Sequence, residues 1–89
     1  MERIRKRIIF YGSVQGVGFR YRAYYAANRF GISGYVKNRY DGAVEMEAEG
    51  TEADIDSLIL AIEAGTFVRI ENMEVERLPL KNDRNFVIR

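Results

Sequence analysis

The residues best placed to do chemistry in this chain form one run, Gly12-Ser13-Val14-Gln15-Gly16-Val17-Gly18-Phe19-Arg20. Glycines let a backbone curl so that successive N–H groups converge on an anion. The run ends on a guanidinium, whose planar fork of donors suits a phosphate group. Upstream, Ile8-Ile9-Phe10-Tyr11 reads as a strand. Downstream, Ala23, Ala26, Ala27 and Phe30 fall at i, i+3, i+4 and i+7, one face of a helix. An anion in the loop would therefore also meet the free N–H groups and partial positive charge of a helix start. Arg20 and Arg22 sharpen this, because a cation in the first turn opposes the helix dipole at a cost of about 0.3–1 kcal/mol. A bound anion would reverse that cost. The residues alone leave a second reading open, a solvated arginine beside an ordinary glycine turn, since a short Gly-rich loop is a weak signal by itself.

Absences narrow the chemistry. The chain has no Cys and no His. That removes thiol nucleophiles, Ser-His-Asp triads and zinc sites built from these residues. A carboxylate-held magnesium ion stays open. Arg, Lys, Asn, Gln, Tyr, carboxylates and backbone amides remain for catalysis. Fourteen Lys+Arg against 13 Asp+Glu give a net charge of +1, too balanced for a dedicated nucleic-acid binder. The basic cluster Arg3–Arg7 reads as a solvated strand edge. Only four apolar residues follow it before Gly12, too few for a signal-peptide core, and no apolar run is long enough to span a membrane. With 47% hydrophobic and 30% charged residues, the 89-residue chain reads as a single soluble, cytoplasmic domain.

The elements that must carry the run follow in order. Residues 3–12 form a strand, 13–19 a loop, and 20–30 a helix stopped by Gly31. Residues 33–40 form a second strand, and Asp41-Gly42 signals a hairpin. Residues 43–49 alternate, with Val44, Met46 and Ala48 facing inward and Glu45, Glu47 and Glu49 forming a solvated face. Thr51 caps a second helix, whose core face is Ile55, Leu58, Ile59 and Ile62, and Gly65 closes it. A fourth strand covers about 67–78 with a bulge near Glu71-Asn72; Pro79 ends it, and Phe86-Val87-Ile88 is a short last strand. This is an α+β, ferredoxin-like split βαβ sandwich, βαββαβ plus a short terminal strand, with two helices on one face of an antiparallel sheet.

That topology brings two distant residues together. The first crossover makes strands one and two parallel, and strand three fills the gap between them. The loop and Asn38 then share one sheet edge about 10 Å apart, within reach of a bound ligand and Arg20. Gln15, Arg20 and Asn38 are the polar candidates; Lys37 points the other way. Asn38 taken alone reads more readily as a turn residue, since Asn is common beside turns. Tyr21, Tyr24, Tyr25, Tyr35 and Tyr40 read as packing residues.

The run at 12–20 resembles the acylphosphatase signature G-x-V-Q-G-V-x-F-R. Gly34-Tyr35-Val36-Lys37-Asn38, followed by Gly42-Ala43-Val44 and Gly50, is similar to the family's second signature. The resemblance implies hydrolysis of a small-molecule acyl phosphate, with no metal and no cofactor. It implies that Ser13, Val14, Gln15, Gly16, Val17, Gly18 and Phe19, through their amides, and Arg20 bind the phosphoryl group. It implies that Asn38 positions the attacking water. Inorganic phosphate is then product and inhibitor, and the enzyme is expected to be a monomer with no nucleic-acid or membrane partner. Phe10 departs from the family's smaller aliphatic residue, and Ala64–Arg69 lacks its usual Gly-Pro.

Two alternatives share features of the chain. One is a non-hydrolytic acyl-phosphate-binding module like the N-terminal domain of hydrogenase-maturation carbamoyltransferases, in which Pro-Phe follows the arginine where Tyr21-Arg22 stands here. The other is an RNA-recognition module of the same element order, which needs aromatics on the open sheet face where this chain offers glutamates.

Overall fold

The computed structural model describes residues 1–89. Its elements are β1 (Arg3–Ser13), α1 (Phe19–Arg29), β2 (Ser33–Asn38), β3 (Val44–Thr51), α2 (Glu52–Glu63), β4 (Arg69–Leu78) and β5 (Phe86–Ile88). The strands form one sheet in the order β4-β1-β3-β2-β5. β3 lies between β1 and β2, antiparallel to both, so the C-terminal ends of β1 and β2 emerge on the same edge. β5 adds in parallel to β2. No helix is long and apolar enough to cross a membrane.

The core lies between the sheet and the two helices. Ile8, Phe10, Val36, Val44, Met46 and Ala48 supply the sheet side; Phe19, Ala23, Ala27, Ile55, Leu58 and Ile62 supply the helix side. The Phe10 ring packs edge-on against Phe19, centroids 4.9 Å apart. This pair anchors the first residue of α1 to β1. The predicted bulge is present: Tyr11 pairs with Asn72 and Gly12 with Ile70, leaving Glu71 unopposed.

The two helix starts differ. At α2, Thr51 Oγ1 accepts the Asp54 N–H at 3.1 Å, and Glu52 and Asp54 place negative charge in the first turn. Both features stabilise a helix N-terminus. At α1 the N-cap is Gly18, which offers no side-chain cap, and the first turn holds no acid.

Three expectations are corrected. The glutamates of β3 are not a solvated face: Glu45, Glu47 and Glu49 are buried, the last fully. The segment 79–85 folds over Glu47 and Glu49. Lys81 and Asn82 donate their N–H groups to Glu49 at 2.8 and 2.9 Å, and Lys81 Nζ lies 3.5 Å from Glu47. Nor is the Arg3–Arg7 cluster an edge, since β1 runs between β4 and β3. Arg5 is buried and pairs with Glu47 at 2.7 Å, Glu49 at 3.1 Å and Asp83 at 3.0 Å. Finally, Tyr21, Tyr25 and Tyr40 are exposed rather than packed. Tyr35 is buried, its single hydroxyl proton shared between Glu45 and Glu47, and Tyr24 packs against the core.

Candidate active site

β1 continues one residue further than expected, and Ser13 still pairs with Arg69 of β4. The connection to α1 is therefore Val14–Gly18. Val14 and Phe19 are buried at its two ends and fix it to the core. Between them Gly16 and Gly18 stand at φ 72° and 79°, the left-handed region that glycine enters without strain. A methyl group at either position would meet nothing within 4 Å, so backbone conformation rather than crowding selects glycine here.

The first helical bond of α1 runs from Arg22 N–H to Gly18 O at 3.0 Å. The N–H groups of the loop and of Phe19, Arg20 and Tyr21 make no backbone hydrogen bond. Unpaired N–H groups on a helix start form a ready anion site. Arg20 stands at the second helical position. Its guanidinium makes one long hydrogen bond, Nη1 to Arg89 O at 3.5 Å.

Across from it is Asn38, the last residue of β2. It pairs with Val44, whose side chain is in the core, so Asn38 lies on the helix side of the sheet. Lys37 faces the other side, 3.9 Å from Glu45, as alternation requires. A cleft of about 220 Å³ is lined by Val14, Gly16, Gly18, Phe19, Arg20, Tyr21 and Asn38. It contains a guanidinium and a carboxamide, and no carboxylate.

The loop, Arg20 and Asn38 are thus brought together. Ser13, Gln15 and Val17 do not line the cleft with their side chains. Ser13 is exposed at the strand end, Val17 packs on the core, and Gln15 Nε2 donates to Arg39 O at 2.6 Å and Ala43 O at 2.9 Å. Two neighbours were missed by sequence reasoning. Tyr21 lines the cleft; its place directly after Arg20 was the available signal. Arg89 reaches Arg20 because its own N–H donates to Val36 O at 2.9 Å, continuing the β5 pairing, and its guanidinium lies 4.1 Å from the Tyr35 ring centroid. Nothing local marks this contact between sequence-distant residues.

Residues 6–88 match the family model described as acylphosphatase. An acylphosphatase of Geobacillus thermodenitrificans (strain NG80-2) is 42% identical over 80 residues, covering 89% of this chain and 85% of the relative. One of Caldanaerobacter subterraneus subsp. tengcongensis is 48% identical over 71 residues, covering 79% of each chain. The crystal structure of acylphosphatase from Bacillus subtilis superposes with a TM-score of 0.88 at 39% identity, covering 96% of this chain and 97% of that one. T. kodakarensis HypF matches with a TM-score of 0.82 at 34% identity, but over only 12% of its own length. The signatures at 12–20 and 34–50, the five-stranded sheet under two helices and these matches converge: the chain belongs to the acylphosphatase family.

Proposed function

We propose that this chain hydrolyses acyl phosphates to a carboxylate and inorganic phosphate without a metal ion. In this reading the amides of the 13–19 run and the Arg20 guanidinium hold the phosphoryl group, and the Asn38 carboxamide aligns a water for in-line attack. Water forms the new P–O bond as the bond to the acyl oxygen breaks. The carboxylate departs as a stable anion, and the bound phosphoryl group takes the proton of the water. Such transfer needs mainly positioning and charge stabilisation on the equatorial oxygens.

The observation that carries this reading is the start of α1: uncapped, without an acid, bearing Arg20 and facing Asn38 across one cleft. α2 shows that this fold supplies a cap and acids where no ligand is needed. The cleft lining has no carboxylate, so charge on the transferred group meets protein donors. The same reading makes the chain a cytoplasmic monomer acting on a small-molecule acyl phosphate.

The test is hydrolysis of benzoyl phosphate by purified protein with EDTA present. Activity should persist, and inorganic phosphate should inhibit competitively because it matches the transferred group. Loss on chelation, restored by magnesium, would overturn the metal-free mechanism.

A further inference from the structure

Gln15 is the polar side chain of the loop, yet it does not point into the cleft. Both hydrogens of its carboxamide are committed, to Arg39 O at 2.6 Å and to Ala43 O at 2.9 Å. The orientation of the amide follows from its partners, because a flipped group would set its oxygen against two carbonyl oxygens. Those carbonyls form the neck of the β2–β3 hairpin. Arg39 N–H donates to Ala43 O at 2.8 Å, Gly42 N–H to Arg39 O at 3.2 Å, and Ala43 N–H to Asp41 Oδ1 at 3.0 Å. The neck is therefore a closed turn, and Gln15 is attached to both of its sides.

Asn38 directly precedes Arg39, and its strand partner Val44 directly follows Ala43. Gln15 thus grips the residue after Asn38 and the residue before its partner. In the other direction, Gln15 lies between Val14 and Gly16, both in the cleft lining. One side chain thus ties the loop directly to the hairpin that carries Asn38.

We propose that Gln15 is a positioning residue that sets the distance between the phosphoryl-binding loop and Asn38. The inference rests on the functional reading above. The loop amides and Arg20 do not need the clamp to bind phosphate; water alignment by Asn38 does. A misplacement of about 1 Å can cost roughly 100-fold in rate. Loss of the clamp therefore acts through Asn38, on turnover and not on phosphate affinity.

A double-mutant cycle tests this, with kcat for benzoyl phosphate and the inhibition constant of inorganic phosphate as readouts. Gln15→Met keeps the length of the side chain and removes both donors. It should lower kcat by about 10- to 100-fold and change phosphate inhibition by less than about threefold. In the Asn38→Ala background the same substitution should cost almost nothing more, because the group it positions is gone. Gln15→Glu provides a second cycle should Gln15→Met fold poorly; its carboxylate would face two carbonyl oxygens, and its larger loss should vanish in the same background. Additive losses of kcat in both backgrounds, an unchanged kcat in Gln15→Met, or phosphate affinity falling in step with kcat would each overturn the proposal. An inactive parent protein would instead overturn the functional reading itself.

Discussion

Arg20 occupies a position that disfavours it in an empty site. It stands in the first turn of an uncapped helix, where a cation opposes the dipole, and it has one long hydrogen bond for its five donors. An anion in front of the helix would resolve both deficits, so under the proposed function Arg20 contributes to binding as well as to catalysis. Arg20→Lys keeps the charge and loses the fork. A charge-assisted hydrogen bond is worth about 1.5–3 kcal/mol, so phosphate affinity and turnover should fall together by roughly 10-fold or more. Asn38→Ala should behave differently, losing about 100-fold in turnover while phosphate affinity stays near the parental value. Calorimetric phosphate titration beside single-turnover hydrolysis separates the two. A lysine variant that binds phosphate at parental strength makes Arg20 a solvated cation. An Asn38 variant that loses binding in step with rate returns the chain to the non-hydrolytic binding-module alternative. The positions of these two residues were legible in the sequence, Arg20 at a loop-to-helix start and Asn38 at a strand end before a turn. The side-chain direction of Gln15 was not, since its partners are backbone carbonyls 24 and 28 residues away, which leave no mark in residue types.

At the level of elements, the sheet order and helix faces follow from periodicity, and two of the three corrections concern what covers the second sheet face. Alternation in β3 sets Val44, Met46 and Ala48 inward and Glu45, Glu47 and Glu49 on the opposite face. Strict alternation states which side a residue is on, not whether a loop folds over that side. Here residues 79–85, with no period of their own, do so through backbone N–H donors. Glu49 is the attachment point, accepting from Lys81, Asn82 and Arg5. Glu49→Gln keeps the shape but turns two accepting oxygens into one oxygen and one donor, so a buried N–H would face another donor. Arg5 keeps Glu47 and Asp83, so the loss is that of hydrogen-bond partners, on the order of 1–3 kcal/mol. The loss should be directional along the chain: the amides of Lys81 and Asn82 should lose hydrogen-exchange protection before those of β1 and β3. Equal loss across the sheet would show that the segment is not held mainly through Glu49.

Across the whole molecule the charges separate by function. Between Glu2 and Asp41 the chain has no acidic residue, and that stretch carries the candidate site. The carboxylates of β3 lie on the opposite sheet face and are tied to structure. Burial by itself would push the Glu49 carboxyl up, but the Lys81 N–H, the Arg5 guanidinium and the Asn82 N–H together hold it below the usual 4.5. Burial acts likewise on Glu47 and is outweighed by Arg5, Tyr35 and Lys81. For Glu45 it is outweighed by Tyr35, Arg7 and Lys37. All three folded-state values lie below the unfolded value of 4.5, so the unfolded chain binds more protons in acid. Their contribution to stability is complete above about pH 5 and is lost as pH falls through the folded values. These three carboxylates by themselves add at most three protons on unfolding, a slope of at most about 4 kcal/mol per pH unit. Tyr35 acts at the other end: burial first, then its bonds to Glu45 and Glu47, raise its hydroxyl above the usual 10.0, so the stability it contributes is lost as pH rises beyond 10. Thermal unfolding followed by circular dichroism between pH 3 and 11 should therefore give a Tm plateau at intermediate pH, with a steep acid limb below about pH 4.5 and a shallower alkaline limb. Glu49→Gln removes one of the three titrating carboxylates, so its acid limb should be less steep than the parent's, on a lower plateau. A parent whose Tm is unchanged down to pH 3, or a variant with an equally steep limb, would show that these buried carboxylates do not control the acid stability of the fold.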